Sequence, residues 1–123
     1  MFFVPLFVIV LPRKNLACPF YFFGGKKMAE EKILENKIKK FLKEKKIFHF
    51  KFFANACTAV GIPDIIACIN GKFTGIEVKA EKGQISEAQL IQAEKIKENG
   101  GLFFLVRPSN FEEFKKIIEN MLQ

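Results

Sequence analysis

Hydrophobic and polar positions repeat with two different periods along the chain, and the changes of period mark out its elements. Residues 29–46 set Leu34, Ile38, Phe41 and Leu42 at i, i+4, i+7 and i+8, the stripe of an amphipathic helix. The other faces of that helix carry Lys32, Lys37, Lys39, Lys40, Lys43 and Lys46. Residues 47–53 change to period two, with Phe48, Phe50 and Phe52 on one side and His49 and Lys51 on the other, which predicts a strand. Residues 54–63 read as a loop. Residues 64–69 and 72–79 read as two strands joined by Asn70-Gly71, a pair that readily adopts the left-handed backbone of a tight hairpin turn. Residues 86–99 predict a second helix, with Ser86 as its cap, Gln89 completing a capping box and Gly100-Gly101 ending it. Residues 102–106 form a short apolar run suited to a buried strand. Ser109-x-x-Glu112 then opens a last helix whose inward stripe is Phe111, Phe114, Ile118 and Met121. The order α-β-β-β-α-β-α describes an α/β chain.

Composition narrows the class. A chain of 123 residues that is 50% hydrophobic, with 16 Phe and no Trp, has material for one core and is too apolar for a disordered basic tail. Three cysteines, Cys18, Cys57 and Cys68, are an odd count without C-x-x-C spacing, which argues against a disulfide framework or zinc ribbon and suits a reducing interior. Cys57 and Cys68 are expected to be buried thiols. The net charge of +7 suits a polyanionic partner, although charge alone argues attraction and not activity.

That charge is unevenly placed. Residues 1–27 hold Arg13, Lys14, Lys26 and Lys27 and no acid. The apolar run at residues 1–11 is broken by Pro5 and falls short of the roughly 20 residues that span a bilayer. Its nearest charges follow it, opposite to a signal peptide, and no membrane association is expected. Gly24-Gly25-Lys26-Lys27-Met28 can be encoded by a purine-rich ribosome-binding stretch ahead of a start codon. Residues 1–27 are therefore expected to be an extension, untranslated or disordered, and residues 28–123 the working domain.

The hairpin carries the chemistry. Pairing across a two-residue turn sets Ile69 opposite Lys72 and Asp64 opposite Glu77, with Lys79 on the same face as Glu77 and with Ile76 and Val78 behind them. Directly opposed side chains have Cβ atoms about 4.5–5.5 Å apart, where like charges destabilise a sheet. Folding gains nothing from two opposed carboxylates, whereas a hard divalent cation with oxygen ligands would neutralise them. A solvated sheet edge also carries Glu-x-Lys, and a register slip at Gly75 would part the acids. Spacing alone leaves these alternatives open.

Three motifs now stand together: Gly61-Ile62-Pro63-Asp64, then Ile76-Glu77-Val78-Lys79 after a hairpin, then Gly83-Gln84-Ile85-Ser86-Glu87-Ala88-Gln89 at a helix start. Together they resemble the VRR-NUC family, virus-type replication-repair nucleases of the PD-(D/E)XK superfamily, similar in plan to Holliday-junction resolvases. The resemblance runs from about Glu30 to Phe114. It implies a restriction-endonuclease-like αβββαβα core with a mixed central sheet flanked by helices. It further implies a metal-dependent, structure-selective DNA endonuclease acting on branched DNA, working as a homodimer in the cytoplasm of a bacterial or phage-infected cell.

By the same resemblance, Asp64 and Glu77 would bind Mg²⁺, or Mn²⁺ in its place, with the Val78 carbonyl. Lys79 would orient the attacking water. Glu35 would be the acid of the first helix, with Glu31 one turn earlier as the alternative, and Gln89 would lie near the metal or the DNA. Lys51, Asn55, Thr58 and Lys82 would touch the DNA backbone. Lys51 departs from the Arg usual in related resolvases and so loses a bidentate fork. Lone His49 has no second ligand at metal spacing and reads as a half-exposed strand residue. Competing readings are a nonenzymatic DNA-binding or assembly module and a restriction-type or flap- or end-directed nuclease.

Overall fold

The fold is that of a computed structural model, which describes the backbone of residues 24–123 and side chains from Met28 onward. Helix α1 (Gly24–Glu44) is followed by strands β1 (Phe48–Lys51), β2 (Ile65–Ile69) and β3 (Lys72–Val78), helix α2 (Glu87–Glu98), strand β4 (Leu102–Val106) and helix α3 (Phe111–Met121). The four strands form one mixed sheet in the order β1-β2-β3-β4. β1, β2 and β3 pair antiparallel, and β3 and β4 pair parallel, as the intervening α2 requires. The chain is thus α/β with a four-stranded mixed sheet and three α-helices.

The expected element order is present, with boundaries displaced by a few residues. α1 begins at Gly24, so the boundary expected at Met28 lies inside a helix, and the rest of the expected extension, residues 1–23, is outside the described residues. Asn70 (φ 52°) and Gly71 (φ 78°) form the predicted left-handed turn, and Ile69 pairs with Lys72. The last helix starts later than Ser109-x-x-Glu112 suggested. Pro108–Asn110 is a short 3₁₀ turn, and Pro at its first position fixes a φ suited to that turn. Ser109 spends its N–H on Glu81 (3.0 Å) and does not cap α3.

Two layers of helix cover the sheet unequally. On one face Leu34, Ile38, Phe41 and Leu42 of α1 and Phe114 and Ile118 of α3 bury Ile65, Ala67, Ile69, Ile76, Val78 and Val106 in a single core. On the other face α2 lies chiefly over β3 and β4. There Pro63 and Ile96 press so closely on Gly75 that a Cβ would meet them at 2.7 and 3.1 Å. Gly75 is therefore a packing position; the ladder runs through it without a slip, with Ile66 opposite Gly75 and Ile65 opposite Ile76.

β1 and β2 keep that second face open. Phe48 (72% exposed), Cys68 and Phe73 (52% exposed) occupy one row across three strands, and Phe50 lies in the next. The expectation that Cys57 and Cys68 are buried is wrong: both thiols are exposed. Alternation puts Cys68 on the face α2 does not reach, and Cys57 sits in the exposed loop after β1. Among the described residues no helix is long and apolar enough to cross a membrane.

Candidate active site

The last ladder pair before the loop is Ile65 with Ile76, so one further step of the same register sets Asp64 across from Glu77. Two backbone bonds hold this end of the sheet beyond the regular strands: Phe52 N–H donates to Asp64 O (2.8 Å) and Lys79 N–H to Val106 O (3.0 Å). The Val78 N–H donates to Asp64 Oδ2 (2.9 Å), which turns that carboxylate toward β3. Lys79 Nζ stands 3.6 Å from Glu77 Oε1, a loose contact, so its place is set more by backbone than by the ion pair.

Gly61 brings the loop onto α2. Its φ of +83° is a left-handed conformation, and a Cβ there would overlap the carbonyl oxygen of Ala88 at the start of α2. The Gly-x-Pro-Asp motif thus has a structural reason in each residue named: Gly61 admits α2, Pro63 fills the space over Gly75, and Asp64 reaches the site.

Gln89 unites the two roles that its position suggested. Its Oε1 accepts from the Ser86 N–H (2.8 Å) while its own N–H donates to Ser86 Oγ (3.2 Å), a complete capping box. Its Nε2 donates to Glu77 Oε1 (2.8 Å). The same amide therefore starts α2 and orients Glu77.

Glu77 is 1% exposed, and its other oxygen, Oε2, is buried with no hydrogen-bond partner. Burial first, and the neighbouring Asp64 charge second, push its carboxyl up to about 8; Lys79 pulls the other way and is outweighed. A buried carboxylate oxygen without a partner is costly to keep, and a second acid beside it raises the cost. The group fits a cation: two carboxylates, one with an unfilled oxygen, lie together at the end of the two central strands. Among the described residues no cluster of three or more His, Cys, Asp or Glu side chains is suited to a metal, so the carboxylate set is this pair.

Glu35 lies elsewhere. It is a buried residue of α1 that contacts Lys51 of β1 (2.6 Å) and Lys39 (3.0 Å) and Lys32 (3.3 Å) of its own helix, with no hydrogen bond or ion pair to Asp64, Glu77 or Lys79. Burial would raise its carboxyl, but the three ammonium groups, Lys51 foremost, overcome this and hold it at about 2. Glu31 is the acid of α1 nearer the site, its Oε1 accepting the N–H of Ala80 (3.2 Å), next to Lys79. Asn55 and Thr58 are engaged with each other and with the loop backbone, Thr58 Oγ1 accepting the Asn55 N–H (2.9 Å) and Asn55 Oδ1 the Cys57 N–H (2.8 Å). Lys82 is exposed on the loop after Lys79. His49 is half-buried, its Nδ1 paired with Ile47 O (2.8 Å), in keeping with a strand residue.

Sequence reasoning missed the brace around that loop. Arg107 Nη1 donates to the carbonyls of Ala80 (3.2 Å) and Gly83, and Glu30 Oε1 accepts the Glu81 N–H (3.3 Å). These side chains act on backbone groups, which leave no pattern of residue types to find. No family model matches the chain, and no curated protein is similar enough to count as a relative.

Proposed function

We propose that this chain is a metal-dependent, structure-selective DNA endonuclease of VRR-NUC type, with a restriction-endonuclease-like core. The observation that carries the reading is the buried, unpartnered Glu77 Oε2 beside Asp64, with the Lys79 ammonium on the same face. Asp64, Glu77 and the carbonyl of Val78 would hold Mg²⁺, with Mn²⁺ able to replace it. When bound, such a cation polarises a phosphodiester and lowers the pKa of a water ligand.

The chain's own residues do the rest. Lys79 presents three N–H donors to the attacking water and to charge gathering on the phosphate oxygens. Gln89 keeps Glu77 facing Asp64, and the Arg107 and Glu31 contacts hold the backbone from which Lys79 extends. Lys51 and Lys82, with the loop ordered by Asn55 and Thr58, would meet the sugar-phosphate backbone. Nothing among the described residues resembles a base-reading element, which suits recognition of shape and charge, as branched DNA offers. A homodimer would give two such sites to one junction, and the open row of Phe48, Cys68 and Phe73 is an apolar surface able to support it.

The test is a panel of four-way junction, flap, single-stranded and linear duplex DNA, with Mg²⁺, with Mn²⁺ and with EDTA. Nicking of the junction in excess of duplex, only with metal, supports the reading. Binding without cleavage of any substrate would assign the chain to the nonenzymatic class instead.

A further inference from the structure

Three ammonium groups converge on the single carboxylate of Glu35. Lys51 Nζ lies 2.6 Å from one oxygen, and Lys39 and Lys32 Nζ lie 3.0 and 3.3 Å from the other. Because Lys32 and Lys39 share an oxygen, their nitrogens are at most about 6 Å apart. None of the three has another acid within ion-pair distance among the described residues, so two positive charges remain unmatched. Glu35 is buried while Lys32, Lys39 and Lys51 keep 59%, 31% and 23% of their side-chain surface exposed. The carboxylate is thus the hidden anchor and the ammonium groups the accessible part.

Crowding like charges in this way is unfavourable unless an anion shares them. Their position says which anion. Lys51 pairs with Ile65, the neighbour of Asp64, and the next residue, Phe52, bonds Asp64 directly. One helical turn before Glu35, Glu31 holds the N–H beside Lys79. The cluster and the acid pair share one end of the sheet but lie on its two faces: Lys51 stands across from Ile65 on the α1 side, and Glu77 meets Gln89 of α2. The other lysines of α1 with described side chains differ: Lys37, Lys40 and Lys43 are exposed and form no ion pair among the described residues.

We propose that Lys32, Lys39 and Lys51, gathered by Glu35, form a phosphate-binding site for a nucleic-acid strand that passes over the end of the sheet carrying the acid pair. The choice of a DNA strand rests on the nuclease reading above; the convergence of charge does not. Each ammonium has donors left over after its bond to Glu35, and a phosphate oxyanion takes such donors from several lysines at once. Glu35 prevents the lysines from splaying apart when no strand is bound.

The test is the salt dependence of DNA binding, measured by fluorescence anisotropy of a labelled four-way junction in EDTA, where no cleavage is needed. Each phosphate contact contributes about 0.9 to the slope of log K against log salt. Lys32→Gln with Lys39→Gln should reduce the slope by between about 1 and 2. Lys40→Gln with Lys43→Gln, an equal loss of charge, should change it by less than about 0.5. Equal effects of the two double variants would overturn the site in favour of diffuse attraction. Glu35→Gln tests the anchor but can unfold the chain, so the lysine pairs carry the decision. A 5′-phosphorylated and an unphosphorylated duplex separate the two sources: a difference lost in the Lys32/Lys39 pair assigns the site to a terminal phosphate, and no difference assigns it to the backbone. A selective slope change in a chain that cuts nothing would keep the phosphate site and sink the nuclease reading. Cleavage with equal slope changes would do the reverse.

Discussion

Glu77→Gln should stabilise the metal-free protein, and by an amount that depends on pH. The substitution keeps the shape of the side chain and its acceptor for Gln89 Nε2, while its new N–H₂ faces the Asp64 carboxylate. In the wild type the Glu77 carboxyl sits at about 8 in the folded chain, against an ordinary value of 4.5. Between those two pH values the folded state keeps a proton that the unfolded chain releases, so stability falls as pH rises through the window and levels off above about 8. Each pH unit is worth about 1.4 kcal/mol, which makes the full loss roughly 3–5 kcal/mol. That is a large fraction of the 5–15 kcal/mol typical of a domain.

Urea unfolding in EDTA at a series of pH values from 5 to 9 measures it, and taking the difference between variant and wild type cancels the other titrating groups. The expected difference is within about 1 kcal/mol at pH 5 and reaches roughly 3 kcal/mol or more at pH 9. Mg²⁺ at pH 8 should raise the stability of the wild type and leave Glu77→Gln nearly unmoved. A difference independent of pH, or equal stabilisation of both proteins by Mg²⁺, would refute the reasoning.

Three further outcomes follow from the same geometry. Glu35 behaves oppositely to Glu77: its carboxyl is held at about 2, so its contribution is full above pH 4.5 and is lost as pH falls toward 2; Glu35→Gln should lower wild-type stability by roughly 2–3 kcal/mol at pH 7 and by little at pH 2, read by denaturant unfolding. Gly61→Ala forces a Cβ onto the Ala88 carbonyl at a left-handed φ and should cost about 2 kcal/mol or more, measured the same way. Gln89→Ala removes the side-chain acceptor of the Ser86 N–H and a donor to Glu77 together, so a stability loss of about 1–2 kcal/mol should come with weakened Mg²⁺ binding by calorimetry, whereas Ser86→Ala, which removes the cap oxygen, should bring the stability loss alone.

The acid pair was legible because its register depends on local chemistry. Asn70-Gly71 dictates a two-residue turn, and the turn dictates which residue of β2 meets which residue of β3. The capping box on Ser86 and Gln89 was legible for the same reason, being a matter of spacing within one helical turn. Its bond to Glu77 was not, since that needs the distance between α2 and β3. Alternation in β1 and β2 correctly separated Phe48 and Phe50 from His49 and Lys51, but alternation does not say which face a helix will cover. α2 is 12 residues long and lies over β3 and β4, so Cys68 and the Phe row were left open.

Glu35 shows a subtler limit. A family resemblance pointed Glu35 toward the acid pair, while the residue's own neighbours at i−3 and i+4, Lys32 and Lys39, already marked it as the centre of a charge cluster. The contact with Lys51, 16 residues on, completed that cluster across two elements. Only the tertiary structure distinguishes an acid that meets lysines from one that meets other acids.

The measurement that bears most directly on the acid pair is cleavage of a labelled four-way junction with Mg²⁺ by the wild type, Asp64→Asn and Glu77→Gln, all three first checked for equal DNA binding. The wild type should nick the junction, EDTA should stop it, and each variant should lose at least about a hundredfold in rate, the scale on which single electrostatic groups act in catalysis. Cleavage at wild-type rates by either variant would contradict the assignment of Asp64 and Glu77 as the hydrolytic centre.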